Sequence, residues 1–476
     1  MSEIIKTDIC VIGAGSGGLT VAAVAAQLGA DTVLIERGAM GGDCLNTGCV
    51  PSKALLAAAH RAADIRGAGK FGIAAAAPEI SGPGVQAHIM GAIAQIAPHD
   101  SVEQFEEYGV RVIQAEAAFT GPNEVAAGDV RIRARRFVVA TGSSPMAPPI
   151  DGLADIAYLT NENLFQLTQV PAHLIVIGGG PIGIEIAQAY RLLGARVSVI
   201  EMMAALSGDD PELVAVVKAG LAKDGVEIFE GAKVLRVGRA DAGLNVEFEK
   251  GGTHQNIEGS HLLVAAGRRP NLDGLNLDAA GIKTGPKGIQ VNASLRTSNR
   301  RVYAVGDVTG DQQFTHVAAY HAGIFIRNAL FRIPAKLDRS AYVRVTYTSP
   351  ELAQVGLTEA EAEAKYPVGQ IRVIRWPFAD NDRAIAEGAT EGLIKLVIGR
   401  GGKILGAGIV GAHAGELIQS WGLAISAKLK IGKLANYIAP YPTLGEANKR
   451  AAGEYFTPSL FGSKTRALVR FLSRFG

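Results

Sequence analysis

Only three cysteines occur in the 476 residues, so a disulfide framework does not hold this chain together. No run of eighteen apolar residues appears, which argues against a transmembrane helix. Charge of one sign is also lacking. The formal net charge is +2, too small for a general polyanion binder, and no nucleic-acid partner is expected. The N-terminus, MSEIIKTDIC, enters a strand at once and shows no signal-peptide pattern, so a cytoplasmic protein is expected. What is present in quantity is glycine, 59 residues, with many at strand-to-helix junctions. Hydrophobic content of 48% provides ample core material, and the length suits two to four domains.

Two of the cysteines sit close together in GGDCLNTGCVPSK, residues 41–53. In a cytosolic chain such a pair reads as catalytic or metal-binding. No second cysteine pair completes a zinc site, so no metal site is expected. Cys10 lies inside an apolar strand and reads as a small core residue. Cys44 and Cys49 are five residues apart, which on an ideal helix separates the side chains by about 140°, poor geometry for a disulfide. Gly41, Gly42, Gly48 and Pro51 point instead to a loop entering a distorted helix start, where a thiolate also gains from the helix N-terminus.

Residues 8–18, DICVIGAGSGG, give an apolar strand and then Gly13-x-Gly15-x-x-Gly18. A small-residue helix and a second strand ending at Glu36 follow. This βαβ unit carries the dinucleotide fingerprint: glycines let the backbone approach a pyrophosphate, and the acid at the strand end reaches ribose hydroxyls. The pattern returns as Gly178-x-Gly180-x-x-Gly183, with a following strand that ends at Glu201. Two fingerprints imply two nucleotides. A carboxylate at 201 accepts from a 2′-hydroxyl and repels a 2′-phosphate, so NAD(H) is expected over NADP(H), with Arg191 and Arg196 as the counter-argument. ATGSSP, with Thr141 and Gly142, VGDV, with Asp307, and AGRRPN, with Gly267, read as strand ends of the same kind. Asp307 is placed to bind a ribityl hydroxyl.

Together GAGSGG, GGDCLNTGCVPSK, ATGSSP, GGGPIGIE, AGRRPN, VGDV and PYPTLGE resemble the flavoprotein disulfide reductases in content and order. That family includes dihydrolipoamide dehydrogenase, glutathione reductase and mercuric reductase. The resemblance implies an α/β fold with two Rossmann-like domains and a C-terminal α+β dimerisation domain. The expected division is an FAD domain over 1–150, an NAD(P) domain over 151–270, a return segment over 271–340 and a dimerisation domain over 341–476. It implies a homodimer, each active site completed by the partner. By the same resemblance, Cys49 is the flavin-side thiol and Cys44 the interchange thiol that attacks substrate. Lys53 lies near the flavin and pairs with Glu185. His316 and Ala318 begin a helix whose N–H groups face the flavin pyrimidine, while His321 reads as a satisfied buried histidine.

One position departs from the commoner pattern. Where dithiol-handling members have His-Pro-Thr followed by an orienting glutamate, this chain has Tyr441 and then Glu446. Tyrosine, with a pKa of about 10, exchanges protons poorly at neutral pH. Mercuric reductase-like members share a tyrosine here, but they also use a C-terminal cysteine pair that this chain lacks. The expected activity is electron transfer between NAD(H), FAD and Cys44/Cys49, with lipoyl-type dithiol exchange first. Reduction of a metal ion or oxidant is the alternative, and a non-catalytic redox-responsive flavoprotein is an alternative of another class.

The chain closes on TPSLFGSKTRALVRFLSRFG, which contains no acidic residue. Leu468, Phe471, Leu472 and Phe475 share one helical face, with Lys464, Arg466, Arg470 and Arg474 around the other. A helix packed on the protein's own surface is the expected state, with peripheral membrane contact as the alternative.

Overall fold

The computed structural model describes residues 3–241 and 243–475. Contacts divide the chain into two units. One comprises Met1–Gly178, Leu192–Arg196 and Lys233–Leu337, and the other Gly179–Arg191, Val197–Ala232 and Asp338–Gly476.

In the first unit the chain starts with β1 (Glu3–Ile12), α1 (Ser16–Gln27) and β2 (Thr32–Glu36). The redox motif follows as α2 (Gly42–Asn46) and α3 (Cys49–Gly67). Four more strands, β3 (Val110–Gln114), β4 (Ala117–Gly121), β5 (Glu124–Ala127) and β6 (Val130–Val139), complete most of a sheet of order β3-β2-β1-β6-β5-β4. The strand Val302–Ala304 joins it, parallel to β6. β1 is parallel to both β2 and β6, whereas the β4–β5–β6 edge is antiparallel. Apolar residues on both faces of β1 and β6 bury Ile9, Cys10, Val11, Phe137 and Val138 completely or nearly so. That is what a parallel strand covered on both sides requires. The strands His173–Ile177 and His261–Val264 pair in parallel elsewhere in this unit.

The second unit holds the helix Pro181–Leu192 as far as Arg191, together with the parallel strands Arg196–Glu201, from Val197 on, and Val226–Glu230. Its larger part is a five-stranded antiparallel sheet built from Val343–Thr346, Glu351–Gly356, Arg372–Pro377, Leu393–Gly399 and Lys403–Gly411. Trp421 and Phe378 are buried against it among Ile394, Leu396 and Ile409. The one polar atom of Trp421 is satisfied, its indole N–H donating to Asn448 at 2.7 Å.

The tail forms the helix Ser463–Leu472, but none of its residues is buried. The expectation that it packs on its own chain is therefore wrong. Amphipathic period shows that a face is apolar, not what covers it. Among the described residues, no helix is long and apolar enough to cross a membrane.

Candidate active site

Gly13 turns with φ +105°, and a Cβ there would stand 2.5 Å from the Ala140 carbonyl oxygen. A Cβ on Gly18 would stand 1.8 Å from the Gly13 oxygen. Those two glycines are required by the fold itself. Gly15 differs, since nothing lies within 4 Å of where its Cβ would be. That open cradle at the start of α1 is the space a phosphate-bearing ligand needs. The second turn repeats the solution. Gly178 has φ +112°, and its Cβ would meet the Ala265 oxygen at 2.4 Å, while Gly180 is open. Gly183 is buried in the following helix.

The acids repeat as well. Glu36 accepts from the Ala14 N–H at 2.6 Å and the Gly38 N–H at 2.7 Å. Glu201 accepts from the Gly179 N–H at 2.6 Å and the Met203 N–H at 2.7 Å. Each carboxylate is thus fixed against its glycine turn and keeps lone pairs for sugar hydroxyls. The residues present fit dinucleotides at both turns.

The redox loop is laid on the first turn. Gly42 adopts φ +58°, and a Cβ on it would stand 2.7 Å from the Gly15 Cα. The Gly41 N–H donates to the Ala14 oxygen at 3.1 Å. Two helices replace the expected single distorted helix start. α2 ends at Asn46 and α3 begins at Cys49, with Thr47-Gly48 between. A Cβ on Gly48 would come within 2.8 Å of the Asp43 oxygen and 3.4 Å of the Cys44 Cα. Glycine at 48 therefore lets the chain fold back so that the two sulfurs meet despite their spacing.

Both thiols are free. The Cys44 thiol donates to the Cys49 sulfur, which pulls the Cys49 pKa down to about 6. Burial opposes this shift, while the Thr315 hydroxyl, 3.2 Å from the Cys49 sulfur, and the positive charge of Lys53 assist it. The same hydrogen bond, with burial, pushes Cys44 upward. One thiolate and one thiol are the stable state near neutral pH. Thr315 opens the helix Thr315–Ala329, so Cys49 lies at the starts of two helices. Cys10 is fully buried, with its thiol pKa raised by that burial.

The other expected residues gather around this core in the first unit. Thr141 donates to the Asn271 carbonyl at 2.8 Å, and the Asn271 N–H returns to the Gly142 oxygen at 3.0 Å. Gly267 adopts φ +134° just before the strand Arg268–Pro270. Asp307 accepts from the Ser143 hydroxyl at 2.6 Å, and burial raises its pKa. Ala318 is buried, its Cβ 3.5 Å from where a Gly17 Cβ would lie and 3.2 Å from that of Gly306. Its N–H donates to the Phe314 oxygen at 3.0 Å. His316 is exposed and stacks on Phe314. His321 is fully buried, and its Nδ1 accepts from the Gly306 N–H at 3.1 Å.

Sequence reasoning missed Asp43 and Arg268. Asp43 accepts from Arg268 at 2.6 Å, from Asn161 at 2.9 Å and from the Thr47 hydroxyl. Arg268 also donates to the Ser143 hydroxyl at 2.8 Å, and Ser143 in turn donates to Asp307. A continuous polar chain thus joins the residue before Cys44 to Asp307. Both ends lay in quoted motifs, but partners 225 residues apart leave no local signal.

In the second unit, Glu185 is buried and accepts from the Tyr347 N–H at 3.0 Å. The Tyr441 hydroxyl donates to Asp382 at 2.8 Å, which raises its pKa. Glu446 opens the helix Glu446–Glu454 and accepts from Arg450 at 2.9 Å. Where a glutamate was expected to orient residue 441, Asp382 holds that hydroxyl. Among the described residues, no cluster of His, Cys, Asp or Glu forms a metal-binding group.

A dinucleotide turn carrying an asymmetric cysteine pair defines a redox protein that moves electrons through thiols. Residues 7–322 match the family described as pyridine nucleotide-disulphide oxidoreductase, and residues 342–452 match its dimerisation domain. The chain belongs to the pyridine nucleotide–disulphide oxidoreductases, which use FAD and NAD(P), and the dimerisation domain supports a homodimer. It is 37% identical to a mercuric reductase of Streptomyces lividans over 453 residues, covering 94% of this chain and 95% of that one. It is 36% identical to a dihydrolipoyl dehydrogenase of Thermus scotoductus over 472 residues, covering 94% and 96%. The crystal structure of LpdA from Mycobacterium tuberculosis superposes with a TM-score of 0.86 at 30% identity, covering 94% of this chain and 99% of that one.

Proposed function

We propose that this FAD-dependent oxidoreductase runs from NADH to Cys44 and Cys49 and onward to a thiophilic metal ion of the mercuric kind. In this reading 1–150 and 271–340 hold FAD, 151–270 holds NAD(H), and 341–476 carries the dimer contact. The observation that carries it is the Tyr441 hydroxyl, which donates to Asp382 and has a raised pKa. By the family resemblance, position 441 serves the substrate, and dithiol exchange asks it for a base at neutral pH. A tyrosine whose proton is held by a carboxylate does not provide one.

Held at the first turn, FAD would supply two-electron transfer between the nicotinamide and the cysteines. The chain's own residues do the rest. Gly13, Gly15 and Gly18 bring the backbone of the first turn to the pyrophosphate, and Glu36 takes ribose hydroxyls. Thr141, Gly142, Asp307, His316 and Ala318 line the flavin side, with Lys53 holding charge near it. Gly178, Gly180, Gly183 and Gly267 shape the nicotinamide side. The Cys44–Cys49 disulfide gains two electrons and one proton, giving the Cys49 thiolate and the Cys44 thiol. The pKa asymmetry supports that assignment. Both sulfurs then ligate the metal(II). As Cys44 ligates, its thiol proton passes to the ligand displaced from the incoming metal complex rather than to residue 441, so that overall NADH and the metal(II) give NAD⁺, the zero-valent metal and that one proton.

Preference for NAD(H) is supported by Glu201 and by the placing of the nearby arginines. Arg191 lies beside Gly225, whose Cβ would stand 2.9 Å from its Nε. Arg196 begins the strand that Glu201 ends, roughly 17 Å away along it.

Oxidation of a lipoyl dithiol is the second reading, favoured by the similarity to dihydrolipoyl dehydrogenases. One comparison separates the two. NADH oxidation by mercuric ion in excess thiol and NAD⁺ reduction by dihydrolipoamide are measured per bound flavin on the purified homodimer. We expect the first to proceed at tens per second and the second below about one per second. Dihydrolipoamide turnover in the hundreds per second sinks the proposal.

A further inference from the structure

The C-terminal helix lies outside the chemistry described above. The matched dimerisation domain ends at residue 452, before this helix begins. From Ser463 to Phe475 no residue is buried, and Leu468, Val469, Phe471, Leu472 and Phe475 are each more than half exposed. An isolated water-exposed helix of this length is marginal, and burying such a face is the ordinary source of helix stability. Something is therefore expected to cover it.

The arrangement of charge says what. At about 100° per residue, Leu468, Phe471, Leu472 and Phe475 fall within one third of the circumference. Phe471 and Phe475 pack edge to face, with ring centroids 5.1 Å apart. Arg466, Arg470 and Arg474 run along the opposite side. Lys464 does not join them as the sequence reading had it. It lies one turn before Leu468, within the angular range of the apolar stripe and at its N-terminal end, where a long side chain can snorkel. The segment 457–476 contains no acidic residue, and among the described residues none of its four cations forms an ion pair. A phenylalanine- and leucine-rich stripe opposite an all-cationic face is the composition of a helix lying in the plane of a bilayer surface, apolar side down. A second copy's apolar patch would cover the stripe but leave four unpaired cations unexplained.

We propose that the tail helix docks the enzyme on anionic lipid, with the apolar stripe in the headgroup–acyl boundary and Arg466, Arg470 and Arg474 toward lipid phosphates. A membrane site of this kind concerns where the reductase works and leaves its chemistry unchanged.

The test uses flavin-loaded full-length protein and flotation with two kinds of vesicle. One is phosphatidylcholine alone, and the other contains roughly one-third phosphatidylglycerol. Partitioning onto the anionic vesicles should be at least about a hundredfold stronger and fall steeply with salt. A chain ending at Gly462 should lose binding while keeping its dimer and its NADH turnover. Arg466→Glu with Arg470→Glu should lose it too, and Phe471→Ser with Leu472→Ser should weaken it even at low salt. Equal binding to both vesicles, no binding to either, or unchanged binding after truncation overturns the proposal. So does dissociation of the truncated protein into monomers, which would mean that the tail covers a second copy.

Discussion

The two glycine turns share a backbone solution down to the atom. In each, the first glycine has positive φ and packs on a carbonyl, the middle glycine faces open space, and a strand-end glutamate accepts two backbone N–H groups. They differ in what is attached. The redox loop rests on the first turn through Gly42, so its open cradle leads to a thiolate. The second turn opens a helix whose acid, Glu185, is buried and bonded to the Tyr347 N–H. Binding geometry was thus used twice and reactivity added once. Nucleotide recognition is a property of the turn, and chemistry a property of the loop grafted beside it.

Removing the graft should have the largest effect. Cys49→Ser should cost at least about a thousandfold in NADH-dependent metal reduction while the protein stays yellow, because the acting groups work as a unit. Retained metal turnover would show that the pathway bypasses the cysteines.

Next come the glycines, which separate folding from binding. Gly18→Ala should lower thermal stability of the apo-protein by about 2 kcal/mol or more, since its Cβ has nowhere to go. Gly15→Val should leave apo stability nearly unchanged yet cut retained flavin about tenfold or more. Gly180→Val should spare flavin content and raise the KM for NADH instead. If Gly15→Val unfolds the protein, the open cradle is not a ligand space.

A smaller effect concerns titration. The Cys49 pKa near 6 means that its alkylation rate, measured on reduced protein, should rise with pH through about 6 and level off above. Cys44→Ala removes the principal hydrogen bond to that thiolate, so the midpoint should move up by about one unit or more. Because the folded pKa lies below that of an ordinary thiol, the thiolate stabilises the reduced fold above the ordinary thiol pKa. That contribution is lost as pH falls through about 6.

The smallest effect should come from Asp43→Asn. Asp43 opposes the Cys49 thiolate, so its neutralisation should lower the same midpoint by a few tenths of a unit. A rise would mean that the orphaned Arg268 leaves the loop and that the pair acts by positioning.

Much of this was legible in the chain because its signals are local. A glycine at 13 or 178, an acid at 36 or 201 and a cysteine pair within one loop each declare themselves within about thirty residues. What stayed hidden depends on distance in sequence. Asp43 meets Arg268, Cys49 meets Thr315, and Tyr441 turns to Asp382 instead of Glu446. The tail was legible as amphipathic but not as exposed.

The sequence by itself determined the family, the two nucleotide turns and the reactive pair, because backbone geometry and thiol chemistry demand those residue types at those spacings. Only the tertiary structure decided which sulfur becomes the thiolate, which carboxylate takes the tyrosine's hydrogen bond and that the apolar face of the tail is left uncovered. Those depend on burial and on partners that folding brings together from far along the chain.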